Sequence, residues 1–171
     1  AIIALTGIAA VLAAAPSSKA AVTAANDYKQ GKVYKITPKS KPFKNKYVKA
    51  PTYNKKTRTY FTIRSYMEKF QKAKKGTLVL KKGTYKITNT IQVPSNVTII
   101  LEKGAKIVKS NQTGTKKMKP ATTIFQLIKP SNREKSNVYG GHNGEKNIHF
   151  VGKGSNVMDL KYLKANIAIV I

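Results

Sequence analysis

Between Gly76 and Ser110 apolar and polar positions alternate in short runs. Leu78 and Leu80, Tyr85 and Ile87, Ile91 and Val93, then Val97, Ile99 and Leu101 recur two residues apart, the period of a strand with one buried face. Turn formers stand between the runs, at Lys82-Gly83, Pro94-Ser95-Asn96 and Lys103-Gly104, so the pattern predicts short strands joined by tight turns. Just upstream the period changes. Ile63, Tyr66, Met67, Phe70 and Ala73 follow the i, i+3, i+4, i+7 spacing of a helix with one buried face, while Arg64, Glu68, Lys69, Lys72 and Lys74 fall on the exposed one. This predicts a helix over 62–75 with Thr62 as N-cap, Lys74 and Lys75 suited to its C-terminal end and Gly76 as its stop.

Further along, a polar excursion over 111–120 precedes a predicted strand over 123–128, ended by Lys129-Pro130. A Gly-rich loop over 131–144 leads to strands over 147–151 and 166–171. Strand starts near Val97, Ile124, Ile148 and Ile167 lie roughly 19 to 27 residues apart, which reads as the irregular coil length of a winding chain rather than a fixed repeat. Asn96, Asn147 and Asn166 each precede one of these strands. Stacked about 4.8 Å apart they would form a ladder of side-chain amides; the plainer reading is that Asn favours turns.

The order helix, Gly76-Thr77-Leu78-Val79-Leu80, Gly83-Thr84-Tyr85, Val93-Pro94-Ser95-Asn96-Val97-Thr98, Gly104-Ala105 resembles the first coils of the right-handed parallel β-helix proteins of the pectate-lyase and polygalacturonase type. The resemblance implies a mainly β fold, a right-handed parallel β-helix (solenoid) with an N-terminal amphipathic capping helix that plugs its open end. It implies a carbohydrate-active protein that binds a polysaccharide and cleaves it as a lyase or glycoside hydrolase. The same fold also serves tailspikes and surface proteins, so it does not by itself choose an activity. Polygalacturonases carry paired aspartates, a Gly-His-Gly and an Arg-x-Lys; here Gly141-His142-Asn143 lacks the second glycine and no Asp-Asp pair occurs. Pectate lyases carry acidic Ca²⁺ ligands, and no acidic cluster occurs here. The expectation is therefore no cofactor within these residues, with catalytic groups and any Ca²⁺ site beyond Ile171.

The chain divides into three parts. Residues 1–24 are apolar and Ala-rich and read as part of a secretory signal peptide, with small residues suited to cleavage after Ala20 or Ala24. The run from Ala1 to Ala15 is shorter than the roughly 20 residues of a membrane span, so no stable span is expected after cleavage; a buried helix or uncleaved anchor is the alternative. Residues 25–61 are basic and interleaved with aromatics, Tyr28, Tyr34, Phe43, Tyr47, Tyr53, Tyr60 and Phe61. They read either as an extended polyanion-binding arm or as a linker with a strand or two packing its aromatics on the end of the first coil. Pro38, Pro42 and Pro51 speak against a helix there. Residues 62–171 carry the capping helix and first coils, and the apolar ending Ile167 to Ile171 reads as a strand whose winding continues past a fragment cut at both ends.

Charge adds the chemistry. Against 33 Lys and Arg stand 6 Asp and Glu, a net charge of +27, which predicts attraction to polyanions. The candidate polyanion or glycan contacts are Lys44, Lys46, Lys55, Lys56, Arg58 and His142. The expected partner is an anionic polysaccharide or cell-wall polymer, the alternative function being a non-catalytic surface protein held to anionic wall polymers by its basic surface. Nucleic acid is not expected, because the leader predicts a secreted or cell-surface location. The absence of cysteine excludes disulfides and thiolate chemistry and fits a Gram-positive-type bacterium. Glu134, Glu145 and Asp159 are the acids nearest the loops, and His149, between Ile148 and Phe150, alternates away from their face.

Overall fold

The protein, seen as a computed structural model, is described over residues 28–136, 138, 144–161 and 166–171; the predicted signal segment and His142 lie outside these. It is mainly β, with three parallel sheets and two helices among the described residues. In chain order the elements are β1 (Val33–Ile36), α1 (Asn45–Val48), α2 (Arg58–Ala73), β2 (Gly76–Leu80), β3 (Gly83–Ile87), β4 (Ile91–Gln92), β5 (Val97–Leu101) and β6 (Ala105–Lys109). β7 (Thr123–Gln126), a short 3-10 turn at Pro130–Asn132, β8 (Ile148–Gly152), β9 (Val157–Asp159) and β10 (Ile167–Val170) follow.

The strands visit the sheets in rotation. The first sheet has the order β1-β2-β5-β8, the second β3-β6-β9 and the third β4-β7-β10, with every pairing parallel. Equivalent side chains therefore stack in columns: Leu78, Ile99 and Phe150 in the first sheet, Tyr85, Ile107 and Met158 in the second, Ile91, Phe125 and Ile169 in the third. These columns meet in one core with Ile63, Met67 and Phe70 of α2. A column of this kind buries apolar surface only because a neighbour lies above or below it, so the strands stabilise one another rather than each its own turn.

Several expectations change. Val97, Ile124, Ile148 and Ile167 do not open four successive turns: β5 pairs with β8 and β7 with β10, so these are two strands in each of two sheets. Strand periodicity cannot distinguish a step to the next sheet from a step to the next layer. The alternation also implied one buried face, yet all five residues of β2 and of β5 are buried. Their outward threonines are covered by the segment Tyr28–Gln30: the Thr77 hydroxyl donates to Gln30 O at 2.8 Å and the Thr98 hydroxyl to Tyr28 O. β9 has no counterpart in the sequence reading, because three residues are too few to show a period.

The amide ladder exists for one rung. Asn96 and Asn147 both adopt left-handed backbone, φ 60° and 56°, and Asn147 Nδ2 donates to Asn96 Oδ1 at 3.0 Å. Asn tolerates this region better than most residues, so the turn preference and the ladder operate together. Asn166 stands before a strand of a different sheet and donates to Leu160 O instead.

Residues 28–61 are not an extended arm. β1 pairs in parallel with β2, and Tyr47, Tyr60 and Phe61 are buried in the core. A four-residue helix, α1, fits between Pro42 and Pro51 despite the prolines that flank it. α2 begins four residues before the predicted start because Phe61 of its first turn packs against Tyr47, Tyr53 and Tyr60, with ring centroids 5.0 to 6.2 Å apart. Thr62 is consequently no cap; it is buried within the helix and its hydroxyl donates to Ser40 O at 3.0 Å. At the other end Ala73 is exposed, and Lys74, not Gly76, takes the left-handed C-cap conformation at φ 63°.

Gly76 is needed for a different reason. A Cβ there would lie 2.0 Å from Phe70 Cδ1, inside the ring that seals α2 onto β2. Gly76→Ala is expected to lower stability by about 2 kcal/mol through overpacking. The measurement is the urea unfolding midpoint, which should fall with the slope unchanged.

Candidate anion-binding site

The loop before α2 is built on two side chains. Asn54 Oδ1 accepts from Lys56 N at 2.8 Å, and its Nδ2 donates to Thr113 O at 2.9 Å, tying the loop to the excursion after β6. The buried Thr57 hydroxyl donates to Thr52 O at 2.8 Å and receives Asn54 N at 2.9 Å. Gly114, at φ 72°, lets the two loops approach, since a Cβ there would meet Lys56 Cδ at 3.2 Å. The loop is thereby fixed with Lys55 and Lys56 outward, and Arg58 follows as the first residue of α2.

Against this edge stands the outward face of β3. Strand alternation puts Tyr85 and Ile87 inside and leaves Thr84 and Lys86 exposed. Together with Ser110 and Gln112 these residues enclose a cleft of about 420 Å³ whose cations are Lys55, Lys56, Arg58 and Lys86 and which has no carboxylate among its lining residues. Lys56 Nζ donates to Gln112 Oε1 at 3.0 Å, and an Arg58 terminal nitrogen donates to Pro38 O at 3.3 Å. Arg58 Nε is buried without a hydrogen-bond partner among the described residues. The first turn of α2 holds no acid, so its macrodipole adds to the positive potential here. Four cations and four hydroxyl or amide side chains, those of Thr59, Thr84, Ser110 and Gln112, line a common space, a set of donors of the kind that suits carboxylate, sulfate or phosphate oxygens.

The structure thus assembles three of the six predicted contacts, Lys55, Lys56 and Arg58. Lys44 lies elsewhere, in a groove beside the C-terminal half of α2. Lys46 is engaged by Glu68, with its Nζ 3.5 Å from Oε2 and 4.7 Å from the Tyr47 ring centroid. His142 lies outside the described residues. Lys86 is the member that sequence reasoning missed. Its outward place two residues after Thr84 was readable from alternation, but not its approach to a loop thirty residues upstream.

Glu68 is not on an exposed face. Its Oε1 receives Arg64 Nε at 3.1 Å and both Arg133 terminal nitrogens at 3.3 Å, and its Oε2 receives the Tyr47 hydroxyl. Arg133 also donates to Gln92 Oε1 at 2.7 Å. Burial pushes the Arg133 guanidinium below its ordinary pKa, and neighbouring Arg64 adds to the effect. Two other acids are likewise engaged: Glu145 accepts from the Ser95 hydroxyl at 2.7 Å, and Asp159 from Lys161 N at 2.7 Å. That backbone hydrogen bond and the Lys161 side chain hold the Asp159 carboxyl below the usual range. His149 is turned outward as alternation requires, with a ring nitrogen 2.8 Å from Asn147 Oδ1 and its ring against Tyr28. Among the described residues no group of three or more His, Cys, Asp or Glu is arranged to hold a metal ion, and no helix is long and apolar enough to cross a membrane. Comparison with family models, with curated proteins and with solved structures returns no match.

Proposed function

We propose that the protein is a secreted right-handed parallel β-helix that binds an anionic polysaccharide through the cleft at Lys55, Lys56, Arg58 and Lys86. The solenoid reading is supported by the rotation of strands through three parallel sheets, and α2, packed across β2, β3 and β4, acts as the plug of its open end. The binding reading is carried by one observation: cations from a loop, a helix start and a strand converge on a cleft with no acid in its lining. Binding without cleavage, as in a wall-associated protein, is the alternative; of the described acids, Glu68, Glu145 and Asp159 are engaged in ionic and hydrogen-bonded links. A general acid has to hold a transferable proton at the scissile bond, and these three carboxylates serve as acceptors.

The test is retention of the full chain on immobilised polygalacturonate and on a glycerol-phosphate wall polymer at low salt. The expected result is binding that weakens as salt rises and that falls at least tenfold when Lys55, Lys56, Arg58 and Lys86 are all replaced by glutamine. Equal retention on neutral dextran, or undiminished binding by the quadruple variant, would sink the proposal.

A further inference from the structure

The strap Pro38–Phe43 runs along one stripe of α2, fastened at three heights. Arg58 donates to Pro38 O, the Thr62 hydroxyl to Ser40 O at 3.0 Å, and Phe43 N to the Ser65 hydroxyl at 2.8 Å. Positions 58, 62, 65, 69 and 72 lie on the same side of a helix. The strap therefore starts at the cleft and ends in the groove where Lys44 lies. That groove encloses about 530 Å³. Of its three aromatic members, Tyr34, Phe43 and Phe70, the first two have ring centroids 6.2 Å apart at 71°, and Phe43 is 44 % exposed. Lys32, Lys44, Lys69, Lys72 and Lys75 surround them, with Lys69 Nζ 3.8 Å from the Phe43 centroid, and no acid lines the groove. Between groove and cleft, Lys39 and Lys41 of the strap are exposed. Glu68, the acid of this helix, is turned to Arg64 and Arg133 on the adjoining side.

We propose that cleft, strap and groove form one track for a linear anionic polysaccharide, with acidic groups on the lysines and a sugar ring stacked on Phe43. This rests on the polysaccharide reading above and deepens it. From Arg58 to Lys72 the helix rises about 21 Å, so a ligand must be several sugars long to occupy both ends. A short oligomer reaches one end only. A long one binds the second end intramolecularly and gains avidity without any new type of contact. The apolar face of a pyranose suits an exposed ring with a cation over one face, which distinguishes the groove from the cleft, whose lining has no aromatic ring.

The probes are galacturonate dimers and decamers, titrated onto the full chain by calorimetry at low salt. The decamer is expected to bind at least a hundredfold more tightly than the dimer. Phe43→Ala, and separately the surface pair Lys39→Gln with Lys41→Gln, are expected to weaken the decamer about tenfold and to narrow the difference between decamer and dimer. Length-independent binding that Arg58→Gln still weakens would overturn the track and leave the cleft standing. No binding of either oligomer would overturn the polysaccharide reading itself. A single-stranded DNA of matching charge that binds as tightly as the decamer would overturn the choice of a saccharide.

Discussion

Replacing Glu68 by glutamine is expected to lower stability by about 2 kcal/mol, between the values typical of exposed and of fully buried ion pairs. The carboxylate joins four parts of the chain. Tyr47 belongs to α1, Arg64 to α2, Arg133 follows the 3-10 turn, and through Arg133 the link extends to Gln92 of β4. Arg133 has side-chain exposure of only 14 %, so loss of its counter-charge leaves a guanidinium that is short of water and keeps only the neutral Gln92 as a hydrogen-bond partner. The effect is larger here than in a balanced protein because only 6 acids offset 33 basic residues. Denaturant unfolding at low and high salt checks it, and the deficit should narrow as salt screens the remaining cations. A double-mutant cycle with Arg133→Gln should return a coupling of about 1 kcal/mol or more; strict additivity would show that the contact carries no energy.

Raising the pH from 8 towards 10 is expected to stabilise the native protein relative to its Lys109→Met variant. Lys109 is 1 % exposed, and its ammonium donates to Thr88 O at 3.1 Å, Ser110 O at 2.8 Å and Asn111 Oδ1 at 3.2 Å. The three acceptors are neutral, so hydrogen bonds are satisfied while the charge stays uncompensated, and burial lowers the pKa from 10.5 to about 8. Below the folded value Lys109 is protonated in both states and its desolvation cost is constant. Between pH 8 and 10.5 the unfolded chain retains a proton that the folded one has released, so stability rises with pH, by at most about 1.4 kcal/mol per pH unit. Above 10.5 the group is neutral in both states and the gain is complete. Buried Tyr85 acts in the opposite sense at the top of this range: burial first, and then Glu102, raise its pKa, so above pH 10 the folded state keeps a proton that the unfolded one loses. The difference between native and Lys109→Met curves removes that contribution and the titration of surface lysines. A flat difference from pH 8 to 10 would contradict the assignment.

What the sequence made legible is what local spacing controls. Leu78, Leu80, Tyr85, Ile87, Val97 and Ile99 announced their strands because alternation persists in each run, and all are buried. Ile63, Met67 and Phe70 announced the helix in the same way. Its start was hidden because Phe61, in the first turn, is packed by Tyr47 and Tyr53 from outside the helix rather than marked by a local cap. The layer to which each strand belongs was equally hidden, since register is a relation between strands and leaves no mark within one. The candidate site shows the same division. Lys55, Lys56 and Arg58 are neighbours in sequence and emerged together, whereas Lys86 joins them only through the placement of β3 against the loop. The link between Lys46 and Glu68 was hidden because a pair on two different helices, 22 residues apart, has no sequence signature.

The segment Tyr28–Gln30 has a mechanical consequence. Gln30 alone touches Thr77 of β2, Thr98 of β5 and Asn147 before β8, three stacked layers, through its backbone and its amide. Tension applied to the chain upstream of Tyr28 reaches these bonds before it reaches β1. Because they attach to successive layers, the load is shared among them at once, as in shear, instead of peeling one strand from the sheet edge. An attachment at that end holds the stack by its side, and the first strand is shielded from the pull.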